Sequence, residues 1–129
     1  MESNILIMKK EYFNGLLQFL KKVPSIKASI SNGIDEGLWW VKFQVDIEHP
    51  LAWNVVQEMG YVLNYLSLEE RLPTVFKPIS PPPYLNGGPE EFLSWVIQVE
   101  SKNFTPDDVK DCLKARLPEP VNNVKKWKF

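Results

Sequence analysis

Leu72-Pro-Thr-Val-Phe-Lys-Pro-Ile-Ser-Pro-Pro-Pro-Tyr-Leu-Asn-Gly-Gly-Pro-Glu-Glu-Phe-Leu-Ser-Trp-Val-Ile-Gln-Val-Glu100 is the stretch that decides the fold. It holds two runs of strand character joined by a stiff connection that ends in Asn86-Gly87-Gly88-Pro89. In the second run, Phe92 to Val99, the side chains of Leu93, Trp95, Ile97 and Val99 share one face. Ser94 and Gln98 take the other, beside Phe92 and Val96. A period of two with one apolar side requires a core beneath it. The first run, Thr74 to Ile79, is flanked by Pro73 and contains Pro78. Neither proline can donate a ladder hydrogen bond, which places this strand at a sheet edge. Pro81-Pro82-Pro83 reads as a short polyproline spacer.

N-terminal to this stretch, two more alternating runs predict a hairpin. Ile26, Ala28 and Ile30 face one way, and Ser25, Lys27, Ser29 and Ser31 the other. Asn32 to Gly37 is a turn cluster. From Leu38 to Ile47, Trp39, Val41, Phe43, Val45 and Ile47 take the core side, and Trp40, Lys42, Gln44 and Asp46 the outer side.

Helices are expected before, between and after these pairs. Over residues 9–22, Tyr12, Phe13, Leu16, Leu17 and Leu20 recur at helical spacing, with Phe19 widening the stripe, until Pro24 bars continuation. His49-Pro50 opens the second helix. Its buried stripe is Ala52, Val55, Val56, Met59, Val62, Leu63 and Leu66, with Gly60 as a close-packing point. Ser67 to Arg71 is a polar exit. Thr105-Pro106-Asp107-Asp108 starts the last helix, with Thr105 as cap and two carboxylates at the positive end of the dipole. Val109, Cys112 and Leu113 form its inner face, and Pro118 ends it. Residues 118–129 read as a C-terminal tail whose lysines surround Trp127. The expectation is an α+β fold of one domain over 1–129, α-β-β-α-β-β-α, with three helices packed on an antiparallel four-stranded sheet.

The totals narrow the function classes. A chain of 129 residues is of single-domain size. Five Trp, seven Phe and four Tyr suggest large anchors, both buried and exposed. The formal net charge of −1 argues against direct binding of nucleic acid, which calls for a basic excess. One cysteine allows no internal disulfide and fits a reducing compartment. The apolar run before Lys9 is too short for a signal peptide, and no run approaches a membrane span. The expected location is the cytoplasm.

No residue pattern points to a reaction. His49 reads as a local cap and Cys112 as a buried structural thiol. One histidine and one cysteine do not make a zinc site, and no metal or cofactor is expected. Asn86-Gly87-Gly88-Pro89 lacks the spacing and the lysine of a phosphate loop. With Glu90 and Glu91 beside it, this loop still leaves open a small enzyme using adjacent carboxylates. A chaperone or adaptor for a secreted protein is the other alternative. Two features point instead to binding of a folded partner. The outer face of the second strand carries Trp40 beside Lys42, Gln44 and Asp46. The second helix carries Trp53, Gln57, Tyr61, Asn64 and Tyr65 along its polar side. Aromatics mixed with amides and charges have the composition of interface hot spots.

Segments 51–58, 61–78, 81–97 and 104–108, among them Leu-Ala-Trp-Asn-Val-Val-Gln-Glu, Pro-Pro-Pro-Tyr-Leu-Asn-Gly-Gly-Pro and Phe-Thr-Pro-Asp-Asp, resemble small bacterial immunity proteins of contact-dependent growth-inhibition and polymorphic toxin systems. The resemblance brings no catalytic residues. It implies a tight cytoplasmic protein partner, the toxic C-terminal domain of a secreted effector, frequently a nuclease, that is neutralised by occlusion without turnover. On this reading Trp40, Trp53 and Tyr61 are apolar anchors, and Glu58, Glu69 and Glu70 are charge partners for a basic surface.

Overall fold

The computed structural model describes residues 2–65, 72–79 and 94–127, and of residues 2–10 the backbone alone. Helix α1 (Glu2–Lys22) begins well before residue 9, because no proline or glycine interrupts the chain there. It ends ahead of Pro24, as expected. Phe13, Leu16 and Leu20 are its buried stripe.

Strands β1 (Ile26–Asp35) and β2 (Leu38–Val45) form the hairpin. The turn is shorter than the Asn32–Gly37 cluster suggests. Asp35 pairs with Leu38, and only Glu36 and Gly37 lie between them, at φ 53° and 86°. Two successive positive φ values are what a two-residue type I′ turn demands. Asn32 and Gly33 therefore belong to the strand. Gly33 stands opposite Trp40, whose indole covers it, and a Cβ there would lie 2.5 Å from Trp40 Cζ2. Ile26 and Ile30 turn toward the core, but Ala28 is exposed. Between Ile26↔Val45 and Ile30↔Phe43, four steps of β1 oppose two of β2. This bulge takes Ala28 out of the alternation.

Helix α2 (Ala52–Gly60) starts later than the His49-Pro50 signal implies. Those residues form a turn in which the His49 carbonyl accepts from Ala52 N–H at 3.0 Å. His49 Nδ1 accepts from Leu51 N–H at 3.0 Å, so its side chain braces this turn, while no side chain caps the helix itself. The helix runs on as a π-helical turn, Tyr61–Tyr65. Strand β3 (Thr74–Ile79) and strand β4 (Ser94–Val99) complete one antiparallel sheet in the order β1-β2-β4-β3. β3 lies at the edge, as its prolines require. Helix α3 (Pro106–Arg116) begins with a full capping box. Thr105 Oγ1 accepts from Asp108 N–H at 3.1 Å, and Asp108 Oδ2 accepts from Thr105 N–H at 2.8 Å.

The three α-helices of the described residues sit on one face of the sheet around one core. Trp39, Val41, Phe43 and Val45 of β2, with Ile97 and Val99 of β4, form its floor. Phe13 meets Trp39 edge-on at 5.8 Å, and Trp39 Nε1 donates to the Phe104 carbonyl at 2.7 Å. Phe76 stacks between Phe43 and Trp95. The predicted α+β architecture of three helices and a four-stranded antiparallel sheet is the one observed.

The reading of 118–129 as a tail is corrected over its described part. Leu117, Val121 and Trp127 are buried in the same core, Trp127 at 0% exposure. Trp127 Nε1 donates to the Val121 carbonyl at 2.8 Å, and residues Val124–Trp127 close as a 3₁₀ turn. The charges of Lys125 and Lys126 point outward while the indole points in. Composition alone registered the charges.

Candidate partner-binding surface

The helical period places Trp53, Gln57 and Tyr61 on one side of α2, away from Val55 and Met59. Trp53 is 58% exposed, Tyr61 39% and Tyr65 58%. Free aromatic area of this size on one helix is costly to leave in water. Two of the three rings are also held in place. Tyr61 and Tyr65 stack with centroids 5.5 Å apart and planes at 14°. The Arg116 guanidinium lies over the Tyr61 ring, 4.9 Å from its centroid.

Arg116 is itself fixed by Glu58. Its Nε donates to Glu58 Oε2 at 2.8 Å, and its Nη2 to Oε1 at 3.4 Å. The hydrogen bond to Glu58, and then the carboxylate charge, raise the guanidinium pKa above its ordinary value. Glu58, Arg116, Tyr61 and Tyr65 thus form one linked cluster on the surface where α3 ends beside α2.

The expected site residues separate into three groups. Trp53, Glu58 and Tyr61 come together on this surface. Glu58 is not a free charge awaiting a partner, because Arg116 already uses both of its oxygens. Trp40 lies elsewhere. Strand alternation turns Trp39 to the helices and Trp40 to the opposite face of the sheet, where it is partly buried over Gly33. Glu69 and Glu70 lie outside the described residues, as do Asn86 to Pro89 with Glu90 and Glu91.

Asn64, grouped with the interface by spacing, has a structural role. Its Nδ2 donates to the Phe76 carbonyl and its Oδ1 accepts from Phe76 N–H, both at 2.7 Å. Arg116 was the residue that sequence reasoning missed. A basic residue in the last turn of a helix is a common device against the dipole, and nothing local marks this one as reaching across to α2.

Among the described residues no group of three or more His, Cys, Asp or Glu is placed to hold a metal ion. None of the described helices is long and apolar enough to cross a membrane. Compared with protein-family models, with curated proteins and with solved structures, the chain matches none.

Proposed function

We propose that this chain is an immunity protein that acts in the cytoplasm, binding the toxic domain of a cognate bacterial effector and covering its active site or substrate groove without performing a reaction. The observation that supports it best is the row Trp53, Tyr61 and Tyr65, exposed along α2 and its π turn with the two tyrosines stacked on each other. Rings pinned before a partner arrives lose little freedom on binding, and that is how a small surface becomes a strong one. The resemblance of 51–108 to such immunity proteins runs through this same helix.

Trp53, Tyr61 and Tyr65 are the anchors in this reading. Glu58 acts by holding Arg116 over Tyr61. The acid pair Glu69-Glu70 follows the anchors in the chain and supplies charge toward a basic, phosphate-binding toxin. Trp40, on the other face of the sheet, is outside the footprint.

The test is co-expression with the toxin domain encoded immediately upstream. The wild-type chain should restore growth and co-purify with the toxin at one to one. Trp53→Ala or Tyr65→Ala should each weaken the complex by about 2 kcal/mol or more. Trp40→Ala should leave it unchanged. If the wild-type chain neither protects nor co-purifies, the reading is discarded.

A further inference from the structure

The two edges of the sheet are built differently. The β3 edge is guarded. Pro73 precedes it, Pro78 lies within it, and Asn64 occupies both outward backbone groups of Phe76. The β1 edge has a guard only in its first half, where the bulge between Ile26 and Ile30 and the charge of Lys27 interrupt it. From Ile30 to Asp35 it is regular, has no proline and no basic residue, and among the described residues pairs only with β2.

Its register fixes which groups are open. Asp35 and Leu38 flank the two-residue turn and so form a hydrogen-bonded pair. Alternation then makes Gly33↔Trp40 and Ser31↔Lys42 hydrogen-bonded pairs as well. Ile30, Asn32 and Ile34 turn their N–H and C=O groups to the outer edge. Ile34 is 37% exposed, and Leu38 beside the turn is 40% exposed.

We propose that this edge binds a second copy of the chain, β1 against β1 in antiparallel register about a two-fold axis at Asn32. The self-complementarity of the segment argues for that occupant. Centred on Asn32, Asn32 opposes Asn32 of the other copy, and Ile30 opposes Ile34 twice. Ser31 opposes Gly33, and Asp35 opposes Ser29, so no like charges meet. The three pairs formed by residues 30, 32 and 34 are all of the hydrogen-bonded kind, so every open N–H and C=O of the three residues is satisfied at once. Any register shifted by one residue mismatches these groups. The sheet becomes eight-stranded. α2 and its π turn pack at the β3 end, so both copies keep their aromatic surfaces free. The dimer does not depend on the toxin reading.

Sedimentation equilibrium over a wide concentration range tests it with the full chain. The mass should rise from 15.0 kDa toward twice that value. Asn32→Pro removes only an outward N–H and should weaken association by about tenfold or more, as should Ile34→Lys, which sets a charge against the apolar Ile30 of the other copy. Circular dichroism checks that both variants remain folded. If Asn32→Pro disturbs the fold, cysteine cross-linking decides the matter. In the proposed register Asn32→Cys places two sulfurs across a hydrogen-bonded pair whose Cα atoms lie about 5.5 Å apart, within disulfide reach. Ser29→Cys places them far from the axis. Oxidised dimer forming faster with Asn32→Cys than with Ser29→Cys or the unchanged chain supports the register. A mass that stays at 15.0 kDa at every concentration, with equal cross-linking at the two positions, overturns the proposal.

Discussion

Asn64 holds the backbone of Phe76 at both of its polar groups, donating to the carbonyl and accepting from the N–H at 2.7 Å each. One amide thus does for the outer edge of β3 what a fifth strand would otherwise do. It also ties the π turn after α2 to the sheet, together with Thr74 Oγ1, which donates to the Leu63 carbonyl at 2.7 Å. The aromatic surface of α2 is therefore anchored to β3 through hydrogen bonds as well as through the core.

Asn64→Ala removes both bonds and leaves two backbone groups of an edge strand to water. Urea unfolding should show a loss of about 1–3 kcal/mol. Amide exchange at Phe76 should accelerate more than at Ile97, which lies on the central strand. Asn64→Asp should not restore the loss, because a carboxylate cannot donate to the Phe76 carbonyl.

The Glu58–Arg116 pair is geometrically good but half open to water, with the Arg116 side chain 47% exposed. A double-mutant cycle with Glu58→Gln and Arg116→Ala should give a coupling of no more than about 1 kcal/mol, shrinking as salt is added. Tyr61 should report the loss. Without the guanidinium above it, its ring should become mobile, visible as sharper and averaged ring proton resonances.

Gly60 does not mark the close approach that its place in the helix suggested. A Cβ there would lie 3.9 Å from Phe76 Cδ2 and 4.0 Å from Asn64 Nδ2, which is ordinary contact. Gly60→Ala should therefore stabilise the protein by up to about 1 kcal/mol through helix propensity, read as a raised urea midpoint with an unchanged slope. Destabilisation would show that the passage from α-helix to π turn needs the freedom of glycine.

Trp127 is fully buried and hydrogen-bonded near the end of the chain. Trp127→Ala should cost about 3–5 kcal/mol, the loss expected of a large core aromatic. A free tail would show no change in thermal or urea unfolding.

Tyr12 has its phenol pKa raised above 10.0, first by burial and then by the charge of Asp108. Above pH 10 the unfolded chain releases this proton while the folded chain keeps it. The unfolded state is then favoured, so stability falls as pH rises through that window and is unaffected below it. Tyr12→Phe should flatten this part of the alkaline loss when urea midpoints are compared on either side of pH 10.

The local rules of the chain were legible where a pattern is set by neighbours in sequence. The alternation of Trp39, Val41, Phe43 and Val45, the capping box at Thr105 and the prolines around β3 each dictate their element without help from afar. So the four strands, the three helices and the edge position of β3 could be read directly. The charged residues around Trp127 misled because charge is visible in composition, whereas an indole folding back onto Val121 is not. The aromatic spacing on α2 likewise named Trp53 and Tyr61 but could not tell Asn64, a clasp on β3, from an interface amide. Only the folded chain brings Arg116 to Glu58, 58 residues away, sets Trp40 on the far side of the sheet from Trp53, and leaves, among the described residues, one sheet edge guarded and the other open. Sequence fixes what each segment prefers through steric and hydrogen-bonding limits acting over a few residues. Which side chains then meet is decided by the packing of all segments on one core, a choice no single segment contains.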